Sequence, residues 1–348
     1  MAPLSWGESC LACAGAIVVG ALCSYQLWGH FSQFCGLGDW DFWFALQWAP
    51  YNTIVHFHQL PLWNPYKCGG MPMLGNPQSH FLTPWFLLTL IFGPFIGLRL
   101  EIPVYIAIAW SGAYVLARVA GTRPIAALAA AFLFATSSWF YVRVTAGILA
   151  MCGFAYLPWV IAGCWVAARR HQPRYAAISG AILALSFLEC GPYPAVYGLI
   201  GIGVLMLSVS VLDRTAYPLR TAIVAGLFTL GFASVKRVPA MLLAAAHGRP
   251  TGGAFEVNTF QVLREGLFSP VQNLFRGSSN GWGFWETSAY IGGFWIPALL
   301  AVNSPRRVAP WLITAVIIYA LAQGDAGLLW PWATACRSCR PCGFHRGF

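Results

Sequence analysis

Charged side chains are scarce in this chain. Only 9% of its 348 residues are Asp, Glu, Lys or Arg, whereas 58% are hydrophobic, and the mean hydropathy is +0.64. A soluble domain usually carries about 25% charged residues, so this composition excludes one. The apolar stretches suit many spans of about 20 residues across a bilayer core of roughly 30 Å, with no room for a large soluble domain between them.

Runs of like charge are also missing. The formal net charge is +10, but the basic residues are dispersed over the loops. Because a nucleic-acid surface clusters its Lys and Arg, we expect no nucleic-acid partner and interpret these residues as topology signals. No basic residue precedes the first apolar run and no small-residue cleavage site follows it, so this segment is expected to remain as a membrane anchor.

The eleven cysteines do not form the dense framework of a small secreted domain. Several lie inside apolar stretches, where a thiol usually behaves as a small hydrophobic group. Cys35 and Cys68, which flank the first loop, are the one pair that a disulfide could join.

Hydropathy predicts an all-α, polytopic membrane bundle with about nine spans. These are residues 10–28, 101–117, 124–140, 147–168, 175–189, 194–212, 219–235, 286–303 and 308–323. A tenth apolar run, Phe81 to Leu98, is interrupted by Gly93 and Pro94. We interpret it as a helix in the membrane interface or a re-entrant hairpin, because counting it as a span would place the Arg169 loop outside.

With this assignment the basic loops fall on one side, which the positive-inside rule makes cytoplasmic. They carry Arg118, Arg123, Arg169, Arg170, Arg174, Arg214, Arg220, Arg306 and Arg307. The external side receives seven of the ten acidic residues and both long loops, 29–100 and 236–285. Function is therefore expected on the external side, where long loops stand on a rigid scaffold.

The last segment differs from the rest of the chain. Residues 1–325 form the expected transmembrane domain, whereas residues 326–348 are a Cys- and Arg-rich tail without an apolar period. Cys336, Cys339, Cys342 and His345 have the spacing of zinc ligands, but no folded element supports them. A truncated or out-of-frame end is the preferred interpretation.

The first external loop contains the most specific pattern. It has an acidic pair at Asp39 and Asp41, then the stretch Leu60 to Tyr66 (LPLWNPY), then Gly69 and Gly70, then a Pro-containing entry at Leu82 to Pro84. This order resembles the first external loop of YfhO-like bacterial membrane proteins, which belong with the GT-C glycosyltransferases. Two later pieces, Tyr114 to Gly121 and Glu189 to Tyr193, are also similar to that family.

The resemblance implies a GT-C-like fold in the bacterial inner (plasma) membrane. It also implies transfer of a sugar from a polyprenyl-phosphate carrier to an external glycan, lipid or protein acceptor. An inverting transfer requires a carboxylate that accepts the acceptor's proton and cations that stabilise the leaving phosphate. Both kinds of residue are present on the predicted external side.

Asp39 and Asp41 are the candidate catalytic residues. The simpler interpretations are that Asp39 caps a helix and that Asp41 complements the helix dipole. Two carboxylates beside the bilayer are nevertheless costly to desolvate without a task or a partner. On a helix they diverge by roughly 200°, so one could be the base and the other a cap or a metal ligand.

Lys236, Arg237 and Arg249 are the candidate phosphate ligands. Lys236 and Arg237 end a predicted span on the external side, against the charge rule. Snorkelling to the lipid headgroups is the alternative. Lys67, one of two lysines in the chain, is a candidate substrate contact between an aromatic residue and flexible glycines.

The remaining candidate substrate contacts are polar residues with simpler alternatives. His56 and His58 could bind phosphate or a divalent metal, or could belong to an aromatic belt at the membrane interface. Asn64 could bind sugar or make a turn, and Glu189 could contact substrate or make a helix-end polar contact. The metal requirement stays open.

Two rival functions remain from the sequence. A transporter or lipid flippase would place ionisable residues deep inside spans, and the predicted boundaries place none there. A non-catalytic scaffold or truncated family member would explain the tail.

Overall fold

A computed structural model of the chain describes residues 6–25, 38–67, 69–246 and 305–322. This part is helical apart from one short antiparallel pair, β1 (Trp63–Asn64) and β2 (Met71–Pro72). A 3-10 helix covers Leu149–Tyr156. The α-helices are α1 (Trp6–Cys23), α2 (Trp40–Val55), α3 (Phe86–Val119), α4 (Pro124–Ala135), α5 (Ser138–Thr145), α6 (Leu157–Arg170), α7 (Pro173–Cys190), α8 (Pro192–Asp213), α9 (Tyr217–Ala246) and α10 (Pro305–Ala322).

Five of the described helical segments are long and apolar enough to cross a membrane. They are Phe86–Val119, Pro124–Thr145, Leu149–Arg170, Pro192–Asp213 and Tyr217–Ala246. The prediction of a helical, multi-pass membrane protein is confirmed at this level. The count of nine spans stays a prediction, and the predicted span 286–303 and the tail 326–348 lie outside the described residues.

The chain folds back on itself within α3. Gly93 adopts φ 80° and ψ 164°, which breaks the helix. A Cβ on Gly97 would overlap the Cα of Thr89, although eight residues of straight helix would separate the two by about 12 Å. The run Phe81–Leu98 is therefore a bent element rather than one straight span. The helix after the bend begins before residue 101, so the predicted start of that span is too late.

Two ion pairs join the ends of helices. Glu8 near the start of α1 pairs with Arg118 near the end of α3 at 2.9 Å. Arg169 in α6 pairs with Asp213 in α8 at 2.5 Å. The prediction that Arg118 and Arg169 lie on the same, cytoplasmic side stays a prediction.

Small residues let α7 and α9 approach closely. A Cβ on Gly180 would overlap the backbone carbonyl of Ala225, and Thr229 Oγ1 donates a 3.1 Å hydrogen bond to the Gly180 carbonyl. Close approach at small residues is a common way for helices to pack in membranes. The helix α9 continues beyond the predicted span end at residue 235, through Lys236 to Ala246.

Candidate functional site

The acidic pair stands at the start of α2, on a tightly packed junction. The backbone N–H of Asp39 donates a 2.9 Å hydrogen bond to the carbonyl of Ala146, which follows α5. Gly38 and Gly147 both have positive φ, and a Cβ on either would overlap the opposite backbone. Only glycine fits such an approach, so the junction fixes where Asp39 lies.

Both carboxylates of this pair face outward. Asp39 and Asp41 are exposed, and Asp39 makes no side-chain capping hydrogen bond although it holds the N-cap position. The alternative interpretation of Asp39 as a capping side chain therefore lacks its hydrogen bond. Asp41 lies in the first turn of α2, where a negative charge is favoured by the helix dipole.

Lys67 lies beside the same turn of α2. Its ammonium nitrogen is 4.1 Å from the ring centroid of Phe42, the residue after Asp41. The preceding residue, Tyr66, packs against Trp48 with ring centroids 4.8 Å apart and accepts a 2.8 Å hydrogen bond from Asn52 Nδ2. The loop thus folds back along α2, with Lys67 on Phe42 and Tyr66 on Trp48.

Asn64 meets this group through the backbone of Tyr66, whereas His56 and His58 take no part in the contacts described above. Asn64 is buried, and its Oδ1 accepts a 2.9 Å hydrogen bond from the Tyr66 N–H, as expected for the turn interpretation. His56 and His58 are exposed at the end of α2. Within the described ranges, no three or more His, Cys, Asp and Glu side chains are grouped to hold a metal, so we derive no step through one.

Lys236 lies in the interior, not at a membrane surface. Its side chain is 0% exposed, and its ammonium donates hydrogen bonds to the carbonyl of Ser79 and, at 2.7 Å, to the carbonyl of Leu188. The snorkelling interpretation is wrong for this reason, and a phosphate could reach Lys236 only if it were uncovered. Arg237 is half-buried, and Arg249 lies outside the described residues.

Lys236 belongs to a buried polar cluster. We define this cluster as Gln47, His80, Glu101, Glu189 and Lys236. Gln47 Nε2 donates a 2.7 Å hydrogen bond to Glu101 Oε1. His80 Nδ1 lies 3.8 Å from Glu101 Oε2. All five side chains are at most 3% exposed.

Side chains from neighbouring elements contact the cluster and hold it in place. The hydroxyl of Thr89 lies 3.2 Å from Gln47 Oε1, and the His80 ring meets Trp43 edge to face with centroids 5.5 Å apart. Burial, assisted by the positive charge of Lys236, lowers the pKa of His80 to about 3. His80 is therefore neutral at physiological pH.

The sequence interpretation missed this cluster. Glu101 was placed at the edge of a span and Lys236 at the end of another, so neither was recognised as an interior residue. The available signal was an ionisable residue inside an apolar run, which is expensive and so marks a functional site by default.

An apolar cavity lies between helices of the bundle. Its volume is about 800 Å³, within the range of ligand sites, and its walls come from α3, α4, α5, α6, α8, α10 and the 3-10 helix. Arg143, which is 6% exposed, is its one charged lining residue. Arg143 precedes Ala146 by about one helical turn, and the Ala146 carbonyl accepts the hydrogen bond from the Asp39 N–H.

No known family matches this chain, and neither a curated protein nor a solved structure is significantly similar to it. The resemblance of the first loop to YfhO-like proteins therefore stays a prediction.

Proposed function

We propose that this protein is a GT-C-like membrane glycosyltransferase that takes a sugar from a polyprenyl-phosphate carrier and places it on an external acceptor. The observation that supports this most is the bond between the Asp39 N–H and the Ala146 carbonyl. It joins an exposed acidic turn to the helix whose Arg143 lines the apolar cavity.

The reaction requires a base at the acidic turn. One carboxylate, Asp39 or Asp41, accepts the proton of the acceptor hydroxyl while the hydroxyl oxygen bonds to the anomeric carbon of the sugar. The bond from that carbon to the carrier's phosphate oxygen breaks, and its electron pair leaves with the phosphate. Both carboxylates are exposed to an incoming acceptor.

The leaving phosphate requires a cation, and Lys67 is the best placed of the predicted contacts. Its ammonium is partly exposed and lies against Phe42 in the first turn of α2. Charge-assisted hydrogen bonds from such a group strengthen as negative charge grows on the phosphate. The aromatic faces of Trp48 and Tyr66 offer a surface for the sugar ring.

The cavity suits the carrier's hydrocarbon chain. Apart from Arg143 and the hydroxyl of Tyr197, its lining side chains are apolar, and water gains little by filling such a space. A prenyl chain in the cavity would leave its phosphate near the polar end, at α5. Binding energy from this chain, remote from the reaction, would orient the anomeric carbon at the base.

The experiment compares two isosteric variants with a matched control. Full-length protein in vesicles is given a synthetic, labelled polyprenyl-phosphate hexose, and loss of sugar from the carrier is followed. We expect Asp39→Asn or Asp41→Asn to abolish release while carrier binding persists, because asparagine keeps the shape and loses the base. Asp213→Asn, at an exposed ion pair, should behave as the parent protein.

A transporter or lipid flippase is a second candidate function, favoured by the buried cluster. Lys236, Glu189 and Glu101 lie on three different helices and are shielded from solvent, as ionisable residues on transport pathways often are. Glu189→Gln discriminates between the two candidates. It should stop lipid or ion flux through a transporter, whereas a transferase should keep its chemical step at the acidic turn.

A further inference from the structure

The buried cluster contains more acidic groups than cationic groups. Two carboxylates, Glu101 and Glu189, share the interior with one ammonium, Lys236, and a neutral imidazole, His80. If both carboxylates were ionised, the cluster would hold one uncompensated negative charge away from water. Uncompensated buried charge is among the most costly arrangements in a protein.

Two buried groups in the cluster also have unused hydrogen-bonding atoms. Both carboxylate oxygens of Glu189 and the Nε2 of His80 lack a hydrogen bond of standard geometry within the described part of the chain. The hydroxyls of Tyr105 and Tyr156 and the ammonium of Lys236 lie near Glu189. Cys152, from the 3-10 helix, faces both carboxylates.

Two arginines, Arg99 and Arg143, are also buried in the described part of the chain. Arg99 lies two residues before Glu101 in α3, so its side chain leaves the helix about 200° away from that of Glu101. Arg143 lines the apolar cavity. The ionisable groups that face the two carboxylates from the described elements are therefore His80, Lys236, Tyr105, Tyr156 and Cys152.

From this arrangement we infer that Glu101, Glu189, His80 and Lys236 form a buried proton-binding site that holds one exchangeable proton. The proton makes one of the two carboxyl groups a neutral acid, and Lys236 pairs with the other. The Gln47 amide donates to Glu101 Oε1, so this oxygen is a hydrogen-bond acceptor. The Glu189 oxygens, which lack a hydrogen bond of standard geometry, can bind a proton or a bridging water.

The site couples several elements of the bundle. Gln47 belongs to α2, Glu101 to α3, Glu189 to α7 and Lys236 to α9, while His80 lies in the loop before α3. Lys236 also holds that loop through the Ser79 carbonyl. Gain or loss of the proton would change the charge at the point where these elements meet, which is how proton relays act in membrane proteins. This inference does not depend on glycosyl transfer.

Infrared spectroscopy of the full-length protein in vesicles at pH 7 tests the site. A protonated carboxyl group has a C=O stretch that shifts on exchange into deuterated water, and the parent protein should show one such group per chain from the cluster. Glu101→Gln and Glu189→Gln should each lose it, because Lys236 then faces a single carboxylate. Lys236→Met should gain a second one, because neither carboxylate then has a cation.

Asp213→Asn is the control, since it removes an exposed, ion-paired carboxylate and should leave the band unchanged. No protonated carboxyl in the parent protein would overturn the inference. A band that persists in both glutamine variants would also overturn it. If Lys236→Met fails to fold, the two glutamine variants still decide.

Discussion

The ammonium of Lys236 in α9 donates a 2.7 Å hydrogen bond to the carbonyl of Leu188, the residue before Glu189 in α7. This bond and its partner to Ser79 tie two helices and the loop before α3 into one buried point. It also explains why a lysine is tolerated in the interior. Two of the ammonium's hydrogen bonds end on backbone carbonyls, which offsets part of the cost of burying it.

Removing this ammonium should destabilise the fold strongly. Lys236→Met leaves the buried carboxylates without their cation and two carbonyls without a donor, which costs about 3–5 kcal/mol in other buried pairs. Thermal unfolding in detergent measures the loss. Arg237→Gln, at the half-buried neighbouring position, should cost much less, and equal effects of the two changes would contradict the interior role of Lys236.

Replacing glycine by alanine should lower stability at the bend, Gly93, but not at a helical control position, Gly231. Gly93→Ala should cost about 1–3 kcal/mol, because φ 80° and ψ 164° are accessible almost only to glycine. Gly231→Ala, in α9, should be neutral or stabilising, because no atom lies within 4 Å of the added Cβ and alanine favours helix. Equal unfolding temperatures for the two variants would show that the chain does not bend there.

His80 should make stability depend on acid pH. Its folded pKa is lowered to about 3 by burial and by Lys236, so between pH 6.5 and about 3 the unfolded chain binds the proton that the folded chain refuses. Stability from this group is complete above pH 6.5 and falls as the pH drops through that window, by at most about 1.4 kcal/mol per pH unit.

The comparison is between the parent protein and His80→Gln, with unfolding measured from pH 7 to pH 4. The difference in stability between them should shrink or reverse as the pH falls, since only the parent has the buried imidazole. A difference that stays constant over this range would contradict a neutral, buried His80.

The loop before α3 and the end of α6 should face opposite sides of the membrane. Gln59→Cys and Arg170→Cys both create thiols at exposed positions. In sealed, right-side-out vesicles an impermeant thiol reagent should add label to the first and reach the second only after permeabilisation. Label on both from one side would overturn the predicted topology.

The sequence predicted the class of fold because the hydropathy of a spanning helix is a local property. It also predicted that the run containing Gly93 is not a straight span, because glycine and proline interrupt a helix locally. It did not predict the bonds from Lys236 to Ser79 and Leu188, since these depend on which residues of distant helices face one another. The hydropathy of single runs contains no such information.

In the candidate site, too, local features were predictable from the sequence, whereas contacts between distant residues were not. Asp39, Asp41 and Lys67 were identified from residue type and spacing, and the structure adds that Lys67 lies on Phe42. Glu101 and His80 were missed because each appears alone in the sequence. Only the packing of α2, α3, α7 and α9 reveals them as members of one cluster.

The transfer of a labelled hexose from its polyprenyl-phosphate carrier tests the central proposal most directly. Full-length protein in vesicles should release the sugar, and one of Asp39→Asn and Asp41→Asn should lower the rate by at least about 100-fold, the contribution of a general base. Carrier binding should persist in that variant. If both variants release sugar as fast as Asp213→Asn, or if the parent protein releases none, the acidic turn is not the catalytic site of a glycosyltransferase.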